Sequence, residues 1–148
     1  MASPDEKTLR LDEALAERLR AAALAARERA YAPYSEFKVG AAVLSQSGKV
    51  YAGQNVENAS YGLSICAERS AIFAMVAAGE RSLRAVAIAT QAEKPVAPCG
   101  ACRQVLREFS AGDARILLVT TGGQRAEHAL RELLPFDFGP QDLGKPQP

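Results

Sequence analysis

Cys66, Cys99 and Cys102 are the three cysteines of the chain, and an odd number cannot all pair within one molecule. Cys99-Gly100-Ala101-Cys102 follows Pro98 at a predicted helix start. There the two-residue spacer brings both sulfurs onto one metal ion, and the helix dipole lowers the thiol pKa values. Cys66 also opens a predicted helix. Adding it gives three thiolates and leaves the fourth tetrahedral position of a zinc ion free for water, as a catalytic zinc requires. Glu68 lies two residues beyond Cys66, close enough to face that water and accept its proton. Three thiolates donate more negative charge than the metal brings, which blunts its ability to acidify water unless charge is drawn off the sulfurs. Arg69 can do this by donating hydrogen bonds to the sulfurs; its position alone suits a surface arginine equally well.

Two rival chemistries use part of the same set. A redox dithiol explains Cys99 and Cys102 at a helix start but leaves Cys66-Ala67-Glu68 without a role, and it would need no metal. A structural zinc module closed by the single histidine, His128, would be a Cys3His site with no room for water. His128 sits near a predicted helix start beside Glu127 and Arg131, where a solvated side chain fits better.

Something must carry these side chains. The 148 residues, 48% apolar and 24% charged, suit one soluble domain over 1–148 with an ordered core from about 8 to 138. Eighteen Lys and Arg against seventeen Asp and Glu give a net charge of +1, without the basic excess that nucleic-acid binding draws on. The stretch Leu11 to Ala30 carries too many charges for a membrane span or a signal segment. The expectation is therefore a cytoplasmic protein with neither nucleic-acid nor membrane partners.

Apolar residues at three- and four-residue spacing from Leu11 to Ala30 predict an amphipathic helix ending before Pro33. Phe37 to Leu44 and Lys49 to Val56 read as strands of a hairpin around Ser47 and Gly48. Helices are expected over Ile65 to Ala78 and from about Cys99 to Phe109, with a strand over Leu83 to Thr90 between them. A buried strand over Ile116 to Thr120 and a final helix over Glu127 to Leu134 follow, with a possible fifth strand near Gln124. This order predicts an α/β domain of three α-β-α layers, one mixed and roughly five-stranded sheet covered by helices. Loose order is expected only in the first few residues and from Gly139 onward.

Cys-Ala-Glu followed by Pro-Cys-x-x-Cys is the zinc-deaminase signature. With A-Y-A-P-Y-S-E-F-K-V-G-A-A, N-V-E-N-A-S-Y, C-A-E-R, P-C-G-A-C-R-Q-V and E-L-L-P in one order, the chain from about Ala30 to Leu143 resembles the short, Cys-ligated cytidine deaminases. The resemblance implies one Zn2+ per subunit held by Cys66, Cys99 and Cys102, water attacking C4 of the cytosine ring, and Glu68 carrying protons to N3 and then to the departing amine. Cytidine or 2′-deoxycytidine would give the uridine nucleoside and ammonia, as in pyrimidine salvage.

The resemblance further implies that Asn55 and Glu57 bind the ribose. Two apart on a predicted strand, they share one face while Val56 points to the core. The main chain of Ala67 and Glu68 would meet the polar edge of the base, and Phe37 would lie against the pyrimidine, although a Phe opening a strand also suits plain core. A homotetramer with shared sites is implied, with Phe138 entering a neighbouring subunit's site; the alternative is a tail residue covering local apolar surface. A nucleoside-antibiotic deaminase shares the cysteine core, but the N-V-E-N-A-S-Y stretch favours ordinary nucleosides.

Overall fold

The computed structural model describes residues 10–148, so the first few residues, expected to be loosely ordered, lie outside the described part. Helix α1 spans Glu13–Arg27 and starts where the Asp12 carboxylate accepts the Leu15 N–H at 2.9 Å, satisfying a donor that the first turn leaves orphaned. Strands β1 (Gly40–Ser45) and β2 (Val50–Gln54) form an antiparallel hairpin. Then come α2 (Ala67–Ala77), β3 (Leu83–Thr90), α3 (Gly100–Glu108), β4 (Arg115–Thr120), β5 (Arg125–Ala129) and α4 (Leu130–Leu133).

The five strands form one mixed sheet in the order β2-β1-β3-β4-β5. β3 and β4 pair in parallel, and the other neighbours are antiparallel. Because side chains alternate along a strand, β1 sends Ala42 and Leu44 to one face and Ala41 and Val43 to the other. α1 covers the first face with Ala16, Leu19 and Ala23, while α2 and α3 cover the second with Ala71, Ile72, Met75 and Leu106. The result is the expected three-layer α-β-α arrangement.

Close approach of both helix layers depends on glycines. A Cβ on Gly40 would lie 2.0 Å from the Ala23 carbonyl oxygen of α1, and one on Gly53 2.5 Å from the Ala71 nitrogen of α2.

Several boundaries differ from expectation. The first strand begins at Gly40 instead of Phe37, because the Asn55 side chain takes the Phe37 carbonyl and the Val39 N–H in place of ladder bonds. β2 ends at Gln54, and Val56 makes isolated bridges to Tyr31 and Ile65. It is 42% exposed and does not point into the core.

The expected helix over Glu127 to Leu134 forms only over Leu130–Leu133; Glu127 to Ala129 instead complete β5, which pairs with β4 through Ala129. The Glu127 carboxylate accepts from Arg115 on that neighbouring strand and from the Leu11 N–H, contacts that outweigh its local helix preference. Beyond Gly139 the segment is tied down. The Arg107 guanidinium, only 5% exposed, binds the Asp137 carboxylate, the Ser110 carbonyl and the Gln147 side chain.

Candidate active site

α2 and α3 begin side by side, with Cys66 as the N-cap of α2, Cys99 as the N-cap of α3 and Cys102 in the first turn of α3. The three sulfurs lie within 4.8 Å of one another, Cys66 and Cys99 at 4.0 Å. A tetrahedral zinc with Zn–S bonds of about 2.3 Å holds its sulfurs about 3.8 Å apart, so the spacing fits that ion. Cys102 is buried, Cys66 half-buried and Cys99 exposed, which leaves the trio open on one side.

Arg69, one turn into α2, donates from Nη2 to the Cys66 sulfur at 3.1 Å. The Cys102 thiol, and after it Arg69, bring the Cys66 thiol down to about 5, against the opposing effect of burial. Cys102 moves upward, chiefly because its hydrogen bond to Cys66 favours its protonated form. A thiolate next to a guanidinium is the donor chemistry a cationic metal needs. The Arg69 Nε is buried without a hydrogen-bond partner, so the bond to the Cys66 sulfur is the side-chain hydrogen bond that the guanidinium makes among the described residues.

Glu68 follows at the start of α2 and is 5% exposed. Burial pushes its carboxyl above the usual carboxylate range, partly opposed by its own backbone N–H. Its side of α2 opens into a cleft of about 210 Å³ whose lining includes Phe37, Asn55, Cys66, Ala67, Glu68 and Cys99. A carboxyl group, metal-binding sulfurs and an aromatic ring thus face one space large enough for a flat heterocycle.

Residues 14–119 match the model of the cytidine and deoxycytidylate deaminase zinc-binding region. The chain belongs to this deaminase family. A cytidine deaminase of Sporosarcina psychrophila is 46% identical over 127 residues, covering 86% of this chain and 93% of the relative. Among solved structures, the cytidine deaminase of Burkholderia pseudomallei superposes with a TM-score of 0.80 at 49% identity, covering 82% of this chain and 98% of that one. That of Mycobacterium tuberculosis superposes at 0.72 and 41% identity, covering 83% and 96%.

The deaminase fold brings together most of the residues singled out from the sequence, but not all. Asn55 lines the cleft with its amide already engaged: Oδ1 accepts from the Val39 N–H at 2.8 Å and Nδ2 donates to the Phe37 carbonyl at 2.9 Å. Glu57 does not line that cleft but a second cavity, with Tyr34, Ser35, Tyr61 and Ser64. Its carboxylate accepts the Tyr34 and Ser35 N–H groups and the Ser35 hydroxyl. The Ser35 hydroxyl first, then its backbone N–H, hold that carboxyl below the usual range.

Phe138 lines neither cavity; it is 58% exposed, and its carbonyl accepts from Gln104 of α3. His128 lies on β5 opposite Ile116, and the metal-binding trio found among the described residues does not include it. Val39, Ile88, Thr90 and Val96 also line the cleft. Nothing in their types set them apart in the sequence, since apolar cleft walls read like core.

Proposed function

We propose that the chain catalyses zinc-dependent hydrolytic deamination of cytidine and 2′-deoxycytidine to the corresponding uridine nucleosides, releasing ammonia, in pyrimidine salvage. The observation that carries the reading is the buried Glu68 carboxyl in the cleft that Cys66 and Cys99 line, with Cys102 completing a trio of sulfurs spaced for one zinc. When bound, the metal supplies a Lewis acid able to bring the pKa of water to about 7.

Glu68 accepts a proton from the attacking water and delivers it to N3 of the cytosine ring, then takes the remaining proton of that water from the new C4 hydroxyl and passes it to the amine, which leaves as ammonia while C4 becomes a carbonyl. A carboxyl raised by burial suits both directions of transfer near neutral pH. The Ala67 and Glu68 main chain, at the free N-terminal turn of α2, meets the polar edge of the base, and Phe37 provides a face against it. Arg69 draws charge from Cys66.

Asn55 keeps one N–H free beyond its two backbone bonds, and Glu57 remains ionised, so together they hold the ribose. Leaving these groups unpaired penalises a free base relative to a nucleoside. The active form is a homotetramer in the cytoplasm. Exposed Tyr34, Tyr61, Phe136 and Phe138 support subunit contacts, with Phe138 entering a neighbour's site, and three free cysteines suit a reducing compartment.

Zinc per chain and the ultraviolet change on converting cytidine to uridine, measured for the native protein and Glu68→Gln, test the reading. One zinc per chain in both proteins, with turnover lost only in the variant, is expected. Zinc without turnover of either nucleoside would favour an antibiotic nucleoside as substrate, and a protein free of zinc would overturn the mechanism.

A further inference from the structure

Phe37 faces the cleft, yet no strand holds its backbone, because β1 begins three residues later. The residue before it, Glu36, has φ 57°, in the left-handed region that residues with a side chain disfavour. Such a segment keeps its shape only if its surroundings fix it. On the cleft side Asn55 does so through the Phe37 carbonyl. On the other side two residues with no place in the cleft complete the bracket. Arg27, the last residue of α1, donates from Nε to the Lys38 carbonyl at 3.1 Å and from Nη2 to the Gln91 Oε1 at 2.5 Å. Gln91, just beyond β3, donates from Nε2 to the Glu36 carbonyl at 3.1 Å.

We infer that Arg27 and Gln91 form a positioning pair that fixes the Phe37 ring in the cleft and thereby tunes nucleoside affinity. Consecutive carbonyls at Glu36, Phe37 and Lys38 each have a donor from a different side chain, a density of fixation that a plain surface loop does not need. The pair is itself held in place. α1 is pressed onto the start of β1 so closely that a Cβ on Gly40 would lie 2.4 Å from the Arg27 nitrogen, and the Arg27 side chain is only 11% exposed.

The inference rests on the proposed reading only in taking Phe37 as the face for the base. Gln91 is exposed, so Gln91→Ala removes two of the bracket's hydrogen bonds without opening the core. Expected is a rise of about two- to tenfold in KM for cytidine, the range one or two lost hydrogen bonds produce. Zinc content, melting temperature and kcat should stay close to native. In a Phe37→Ala background the same substitution should raise KM no further, since the two act through one ring. An equal KM factor in both backgrounds, or no KM change in either, overturns the inference.

A second readout needs no turnover. The chain has no tryptophan, so Phe37→Trp places the one indole at this position, and Gln91→Ala should make its emission more readily quenched by acrylamide. If the native chain fails on cytidine while quenching still depends on Gln91, the substrate reading falls and the positioning pair stands. Turnover of cytidine with quenching indifferent to Gln91 overturns the pair instead.

Discussion

On the α1 face of the sheet Ala42, Ala85, Ala87 and Ala89 meet Ala16, Leu19 and Ala23, all essentially inaccessible to water and without a polar side chain among them. The α2/α3 face is built on the same strands, yet at the helix starts it carries Cys66, Glu68, Cys99 and Cys102 and opens into a cleft. Small residues on the first face let the helix and sheet backbones come close and stiffen the support. On the second, two helices begin side by side, so unpaired N–H groups and dipole ends converge where a metal and a polar base can use them. The first face therefore contributes packing alone, whereas the second combines packing with the groups that act on a substrate.

The largest separation of the two faces should come from Cys99→Ala. Losing one of three sulfurs should abolish zinc binding and turnover together, and lower the melting temperature through the lost metal; metal analysis and thermal denaturation check both. Glu68→Gln should reduce kcat by about 10² to 10⁴ while zinc content and melting temperature hold, so equal loss of stability would blur the division.

From the opposite face, Gly40→Ala forces a Cβ against the Ala23 carbonyl. It should destabilise by about 1–3 kcal/mol, as overpacking does, with kcat per folded molecule retained in calorimetry paired with active-site titration. The smallest effect is expected from Ser35→Ala. Glu57, held below the usual carboxylate range by the Ser35 hydroxyl, is favoured ionised in the native state. The support its charge gives is complete above the ordinary carboxylate pKa and is lost as pH falls through the lowered one. Removing the hydroxyl should move the acid-side weakening of nucleoside affinity to higher pH, visible in KM against pH.

Legibility in the sequence divided along physical lines. β3 spans Leu83–Thr90 as its nearly continuous apolar run indicates, and the cysteine spacings located the metal trio, because both signals are local. The expected helix over Glu127 to Leu134 held only for Leu130–Leu133, since over Glu127 to Ala129 helix preference is overridden by pairing with β4, a contact that local pattern does not encode. Asn55 shows a subtler limit. Its type suggested a ligand contact, but its first task is to satisfy the backbone around Phe37. Arg27 and Gln91, 64 positions apart, meet only because β1 runs antiparallel to β3, so the entry to one strand and the exit from the other share an end of the sheet.

Arg107 sets a limit on how the protein can be trimmed. Its buried guanidinium takes Asp137 and Gln147 as partners, with only the Ser110 carbonyl supplied from nearby, just past the end of α3. Deleting the segment from Asp137 onward would remove no strand of the sheet, yet it would strand a charge against the end of the helix that bears Cys99 and Cys102. An unpaired buried cation is among the more severe defects a fold can carry, typically about 3–5 kcal/mol. A shortened version would fail from the metal-bearing helix outward, whereas an affinity tag added after Pro148, which lies outside this clasp, leaves it intact.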